Sequence, residues 1–69
     1  MGFQSMQSVA VKDDVMDEDG DVLLSAGQAG YVVADKSVVV NGVSEGEVDV
    51  KMDHDGIVYS LDVSHIRAL

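Results

Sequence analysis

The stretch that most constrains the fold is the run EVDVKMDHDGIVYSLDV, residues 47 to 63, in which apolar and polar residues alternate. A period of two places successive side chains on opposite faces of a strand, so this run predicts a half-buried hairpin. A two-residue loop at Asp55-Gly56 collects the apolar residues on one face, whereas a loop of odd length would mix the faces. The predicted apolar pairs are Val48 with Val63, Val50 with Leu61 and Met52 with Tyr59, and the opposite face pairs Asp49 with Asp62, Lys51 with Ser60 and Asp53 with Val58. We therefore interpret DHDG, residues 53 to 56, as a turn and not as a metal site.

Further strands are indicated upstream of this hairpin. SVAVKDDV, residues 8 to 15, predicts a half-buried strand, and YVVA and SVVV, residues 31 to 34 and 37 to 40, predict two more. We interpret VLLSAGQAG, residues 22 to 30, as a loop and SEGE, residues 44 to 47, as a polar connector.

Two glycine pairs predict tight turns, and a last segment predicts a helical turn. Asp19-Gly20 has turn composition, and Asn41-Gly42 favours a type I′ turn because both of its central positions tolerate positive φ. The residues SHI after Val63 predict one helical turn with Ser64 as the capping residue, followed by a short strand over residues 67 to 69.

The length and composition indicate one small domain. A chain of 69 residues is near the lower limit for a self-sufficient core, and it has no cysteine for disulfides or thiolate metal sites. Good packing or oligomerisation must therefore supply stability. We predict a flexible N-terminal extension over residues 1–8 and a domain over residues 9–69. Neither a long apolar run nor a leader-like N-terminus is present, so we expect a cytoplasmic protein with no membrane partner.

The order of these elements predicts an all-β fold, a small SH3-like barrel of five to six short antiparallel strands with one short helical turn near the C-terminus. The chain resembles bacterial SH3-like domains of the kind found in KOW-type modules, the nitrogen-fixation protein NifZ and the variable chain of ferredoxin-thioredoxin reductase. The residues that carry the resemblance are Val11-Lys12-Asp13, Gly27, Gly30, Val32-Val33, Val48, Val50, Asp55-Gly56 and Val63-Ser64-His65-Ile66. This resemblance implies an accessory subunit or an interaction module.

The charge of the chain restricts its partners. Thirteen acidic against four basic residues give a net charge of -9, which disfavours direct binding to nucleic acid and favours a protein partner with a basic surface. Six acidic residues would attract such a partner, and together we call them the acidic loop. They are Asp13, Asp14, Asp17, Glu18, Asp19 and Asp21. An acidic inhibitor that mimics nucleic acid is an alternative function.

Catalytic, metal and cofactor sites find little support in the sequence. When Gly20 or Gly56 is placed at the sixth position of an EF-hand loop, the first position is Val15 or Lys51, so neither loop qualifies. A looser cation site in the acidic loop remains an alternative. Asp62, Ser64 and His65 are close in sequence, but adjacent strand residues point to opposite faces. We therefore predict no enzyme activity, no catalytic residue and no cofactor.

One enzyme alternative remains open at the level of the fold. The type II dihydrofolate reductase is also an SH3-like barrel, and it forms its site only in the central pore of a tetramer. Here Tyr59, Ser60 and Leu61 replace its functional Gln-Ile-Tyr, so we treat the likeness as one of fold. The leading hypothesis is a non-enzymatic interaction module that self-associates through Val38, Val39 and Val40, because an exposed apolar edge is a template for pairing.

Overall fold

The protein is described by a computed structural model that covers residues 4–69. Its elements, in chain order, are β1 (Ser8–Val11), β2 (Val15–Met16), β3 (Val22–Leu24), β4 (Ala29–Asp35), β5 (Val38–Val40), β6 (Val43–Glu45), β7 (Glu47–Met52), β8 (Val58–Asp62), the 3-10 turn η1 (Val63–His65) and β9 (Ile66–Ala68). The predicted fold class is confirmed: the domain is all-β, its strands pair antiparallel, and one short helical turn lies near the C-terminus.

Five of the strands form the main sheet, in the order β8-β7-β4-β1-β9. The last strand returns to the first, with Val9 opposite Ala68 and Val11 opposite Ile66. Strands β2 and β3 form a separate hairpin, and so do β5 and β6. This arrangement is compatible with a small barrel, and each of the two hairpins is inserted between consecutive strands of the main sheet.

The core follows from the alternation that the sequence displays. In β7, Val48, Val50 and Met52 are at most 1% exposed, and they alternate with partly or fully exposed polar residues. The remaining core residues are Val9, Ala10, Val11, Leu24, Val32, Leu61, Val63 and Ile66. These side chains are contributed by β1, β3, β4, β8, η1 and β9 as well as β7, so one apolar cluster joins the main sheet to the β2–β3 hairpin.

The hairpin between β7 and β8 differs from the prediction in its loop length. Val48 lies opposite Leu61, and Val50 lies opposite Tyr59, two residues away from the predicted register. The loop therefore has four residues, 53 to 56, and the predicted two-residue loop is wrong. Its even length is confirmed, which is why the apolar residues still share one face. The pair that flanks this loop is Met52 with Ile57, since Met52 donates its N–H to the carbonyl of Ile57 at 3.0 Å.

The shifted register also changes the polar face. Asp49 lies opposite Ser60, and Glu47 lies opposite Asp62, so the predicted pair of Asp49 with Asp62 is wrong. The Ser60 hydroxyl donates a hydrogen bond to the Asp49 carboxylate at 2.7 Å. The observed register thus gives Asp49 a donor where the predicted one gave it a like charge.

Further predictions about local structure need correction. Of the predicted loop, residues 22–24 form β3 and residues 29–30 begin β4, and Ser44 and Glu45 of the predicted connector belong to β6. The helical turn begins at Val63, one residue earlier than predicted, and Asp62 caps it instead of Ser64. The Asp62 carboxylate accepts the free N–H of Ser64, which the side chain of Ser64, two residues later, cannot do for its own N–H.

The chain joins the main sheet at residues 6 to 8, within the segment that the sequence predicted as an extension. Strand β1 begins at Ser8, and residues 6 and 7 are already bonded to β4, since Met6 donates its N–H to the carbonyl of Val32 and Val32 donates to Gln7. Residues 1–3 of the predicted extension lie outside the described residues.

Candidate interaction surface

The β5–β6 hairpin brings four valines to the surface on a tight turn. Asn41 and Gly42 have φ values of 52° and 79°, which confirms the predicted type I′ turn. Val40 lies opposite Val43, Val39 opposite Ser44 and Val38 opposite Glu45. Because side chains alternate along a strand, Val38, Val40 and Val43 share one face with Glu45, and Val39 shares the other face with Ser44.

All four valines of this hairpin are exposed. The exposed fractions are 60% for Val38, 55% for Val39, 43% for Val40 and 59% for Val43. Three consecutive valines are typical of a strand that is buried on both sides, but within the single chain this strand is buried on neither side. Burial against a second copy stays a prediction.

Most of the hairpin also carries no charged side chain. Residues 37 to 44 contain no charged side chain, in a chain where 25% of residues are charged. The nearest cation before it, Lys36, forms an ion pair with Asp49 of β7 at 3.1 Å. Apart from Glu45 at its end, the hairpin therefore presents an apolar, uncharged surface on an otherwise acidic protein.

The acidic loop lies on the other small hairpin, β2–β3. One carboxylate oxygen of Asp17 accepts the backbone N–H of both Asp19 and Asp21 at 2.9 Å, and Gly20 adopts a φ of 85°. Asp14 accepts the N–H of Ala26 at 2.8 Å. Asp17 thus stabilises the turn itself, as side-chain acceptors for backbone N–H groups commonly do, whereas Asp14 ties the segment before β2 to the segment after β3.

The other four acidic side chains of this loop point into solvent. They are Asp13, Glu18, Asp19 and Asp21. Within residues 4–69, no carboxylate of the acidic loop forms an ion pair with a basic side chain. The repulsion between these exposed carboxylates is therefore reduced by solvent, by mobile ions or by a basic partner.

The same hairpin carries an apolar outer face that sequence reasoning missed. Val15 and Leu24 pack inward, while Met16, Val22 and Leu23 are between 46% and 58% exposed. The missed signal was the apolar triplet Val22-Leu23-Leu24 directly after Asp19-Gly20, which is typical of the second arm of a hairpin.

The tip of the β7–β8 hairpin answers the question of whether DHDG is a turn. Asp55 accepts the backbone N–H of Ile57 at 2.9 Å and the Tyr59 hydroxyl at 2.6 Å, and His54 lies 3.2 Å from the same carboxylate. The hydrogen bond from Tyr59, and then that from Ile57, lower the pKa of Asp55, while the Asp55 carboxylate raises the pKa of Tyr59. Asp55 is thus an acceptor for its own turn, and the interpretation of this segment as a turn is confirmed.

Two more carboxylates, Asp49 and Asp62, accept hydrogen bonds from serine hydroxyl groups. The Ser60 hydroxyl, and then Lys36, lower the pKa of Asp49. The backbone N–H of Ser64, and then its hydroxyl, lower the pKa of Asp62. The Ser64 hydroxyl donates to Asp62 at 2.8 Å, so this serine is part of the cap of η1.

The described residues contain few features of a binding site for small molecules. Residues 4–69 form no pocket, and no three of their acidic or histidine side chains converge as metal ligands would. Among the same residues, no helix is long and apolar enough to cross a membrane. No protein-family model matches the chain, and neither a curated protein nor a solved structure matches it.

Proposed function

We propose that this protein is a non-enzymatic interaction or accessory module, built as an SH3-like barrel, that associates with a second copy of itself through the β5–β6 hairpin. The observation that carries this proposal is the exposure of Val38, Val39, Val40 and Val43 on a hairpin without charged residues in its central part. The chain order supports the barrel. Its central strands are followed by a helical turn and a last strand, in the order that the sequence predicted, and this last strand lies beside the first.

Self-association is favoured because the valines of this hairpin are exposed in the single chain. A two-stranded ribbon on its own is marginally stable in water, and it gains stability when one of its faces is packed. Burying the exposed half of a valine side chain contributes about 1 kcal/mol. A contact made from a few such side chains must also offset the lost freedom of two molecules, so the association is weak and depends on concentration.

A second protein with a basic surface would meet a different part of the molecule. The exposed carboxylates of the acidic loop would speed its approach through long-range attraction, and added salt would screen that attraction. The association rate with such a partner should therefore fall as the salt concentration rises. A rate that does not depend on salt would exclude the acidic loop as the attracting surface.

Light scattering on the purified protein tests the self-association directly. The mass should rise above the 7.3 kDa of one chain as the concentration increases from the micromolar to the millimolar range. A mass that stays at one chain throughout this range would refute the proposal. Repeating the series with calcium controls for a cation bound at the acidic loop, which would change the mass only when calcium is present.

A further inference from the structure

We infer that two copies meet through one face of the β5–β6 hairpin, in a symmetric face-to-face contact. We call this the valine face, and it is formed by Val38, Val40 and Val43. Val39, on the opposite face, stays outside the contact. This inference rests on the proposed self-association and names the surface and the partner, which is a second copy of this chain.

The first argument comes from the distribution of side chains. The valine face carries three exposed valines, whereas the opposite face carries Val39 beside the partly buried Ser44. Val40 and Val43 are direct cross-strand neighbours, about 5 Å apart, and Val38 is the diagonal neighbour of Val43, about 7–8 Å away, so the three valines form one apolar surface. Of the two faces of this hairpin, the valine face therefore offers the larger apolar area for a contact between copies.

The second argument concerns the alternative, in which two copies pair edge to edge. In a hairpin with a two-residue loop, the flanking residues Val40 and Val43 bond to each other, and by alternation Val38 bonds to Glu45. Within the three residues of β5, only Val39 then directs its N–H and C=O to the free edge. An added strand would gain hydrogen bonds from a single residue of β5, so edge pairing is poorly supported.

The third argument is the charge of the chain. Two copies that each carry a net charge of -9 repel each other, so they can touch only where carboxylates are sparse. The valine face has a single carboxylate, Glu45, at the end away from the turn. In a symmetric contact with the two hairpins antiparallel, Glu45 of each copy lies against the uncharged turn of the other, away from its equivalent. Salt screens the remaining repulsion, so self-association should strengthen as salt is added.

Valine-to-threonine substitutions test which face makes the contact. Threonine keeps the branched shape and the strand preference of valine but adds a hydroxyl that resists burial. We expect V40T and V43T each to weaken the dimer about tenfold or more. The matched control V39T, on the same strand and with similar exposure, should change the dimer constant less than about twofold. Dimer constants come from sedimentation equilibrium at several salt concentrations, and urea midpoints confirm that all three variants fold.

The outcomes separate this inference from the function on which it rests. If the wild-type protein stays a monomer, the self-association fails and the inference fails with it. If the wild type dimerises but V39T weakens the dimer as much as V40T does, only the assignment to the valine face is overturned. A dimer that weakens as salt is added would indicate ion pairs at the contact, and that result would also overturn the inference.

Discussion

Gly30 is the position where the packing of this sheet leaves no room for a larger residue. It lies in β4 opposite Met52 of β7. A Cβ atom added there would lie 2.5 Å from the carbonyl oxygen of Lys51 and 3.0 Å from the Cα of Met52. Both atoms belong to the backbone of the neighbouring strand, so the clash cannot be relieved by moving a side chain. Gly30→Ala must push β4 and β7 apart in the centre of the main sheet.

The cost of this substitution can be set against the stability of the whole domain. Overpacking a well-packed site costs about 1–3 kcal/mol, and the central, buried position of Gly30 places it in the upper part of that range. A domain of 69 residues has a total stability of roughly 3–10 kcal/mol. A loss of about 2–3 kcal/mol would lower the Tm by roughly 10–20 °C.

Gly27→Ala is the matched control for Gly30→Ala. Gly27 has a φ of 89°, and an added Cβ there has no atom within 4 Å, so alanine meets only the backbone penalty of about 1–2 kcal/mol. Urea unfolding of both variants, followed by circular dichroism, gives the two free energies of unfolding. Gly30→Ala should be the less stable of the pair, with an unchanged m-value. Equal stabilities would show that the close approach of β4 and β7 does not constrain residue 30.

Further predictions concern the hydrogen-bonded carboxylates. Asp17→Ala should destabilise the domain by about 1 kcal/mol, because two backbone N–H groups lose their acceptor, whereas Asp19→Ala should be nearly neutral in the same urea assay. The pKa of Asp55 is lower in the folded state than its ordinary value of 3.8. The ionised carboxylate therefore stabilises the fold above pH 3.8, and this stabilisation is lost as the pH falls from 3.8 through the folded-state pKa. Urea unfolding at a series of acidic pH values should show this loss. The pKa of Tyr59 is raised above 10.0, so its contribution is lost as the pH rises through the folded-state value, and Tyr59→Phe should remove that alkaline loss. An alkaline loss that persists in Tyr59→Phe would count against the bond to Asp55.

The parts of the fold that sequence could predict are those set by local chemistry and periodicity. Alternation in residues 47 to 52 places Val48, Val50 and Met52 in the core, as observed. Asn41-Gly42 determines its own turn, because both residues accept positive φ.

The parts that sequence could not predict depend on contacts between distant segments or on side-chain acceptors. The loop between β7 and β8 has four residues, and Asp53 within it donates its N–H to the carbonyl of Ala29 at 3.0 Å. Composition favoured the shorter loop and contained no information about Ala29. In the same way, Asp14 holds Ala26, twelve residues away, and thereby fixes the return of β3 toward the sheet.

The candidate surface was predicted in part. The valine run indicated Val38 to Val40, but Val43 was not among the candidates, because no strand was predicted after Asn41-Gly42. Only the observed pairing of Val40 with Val43 places the two side chains together on one face. The acidic loop was predicted as one cluster, whereas the structure divides it into two carboxylates that accept backbone N–H groups and four that face solvent.

A dilution series of amide spectra by nuclear magnetic resonance tests the central claim most directly, because it locates any contact between copies residue by residue. We expect concentration-dependent shifts at residues 38 to 45 that are absent from the V40T variant, while the amides of the acidic loop and of β8 stay unchanged. Shifts centred on the acidic loop or on β8, or no shifts up to millimolar concentration, would contradict the assignment of the β5–β6 hairpin as the interaction surface.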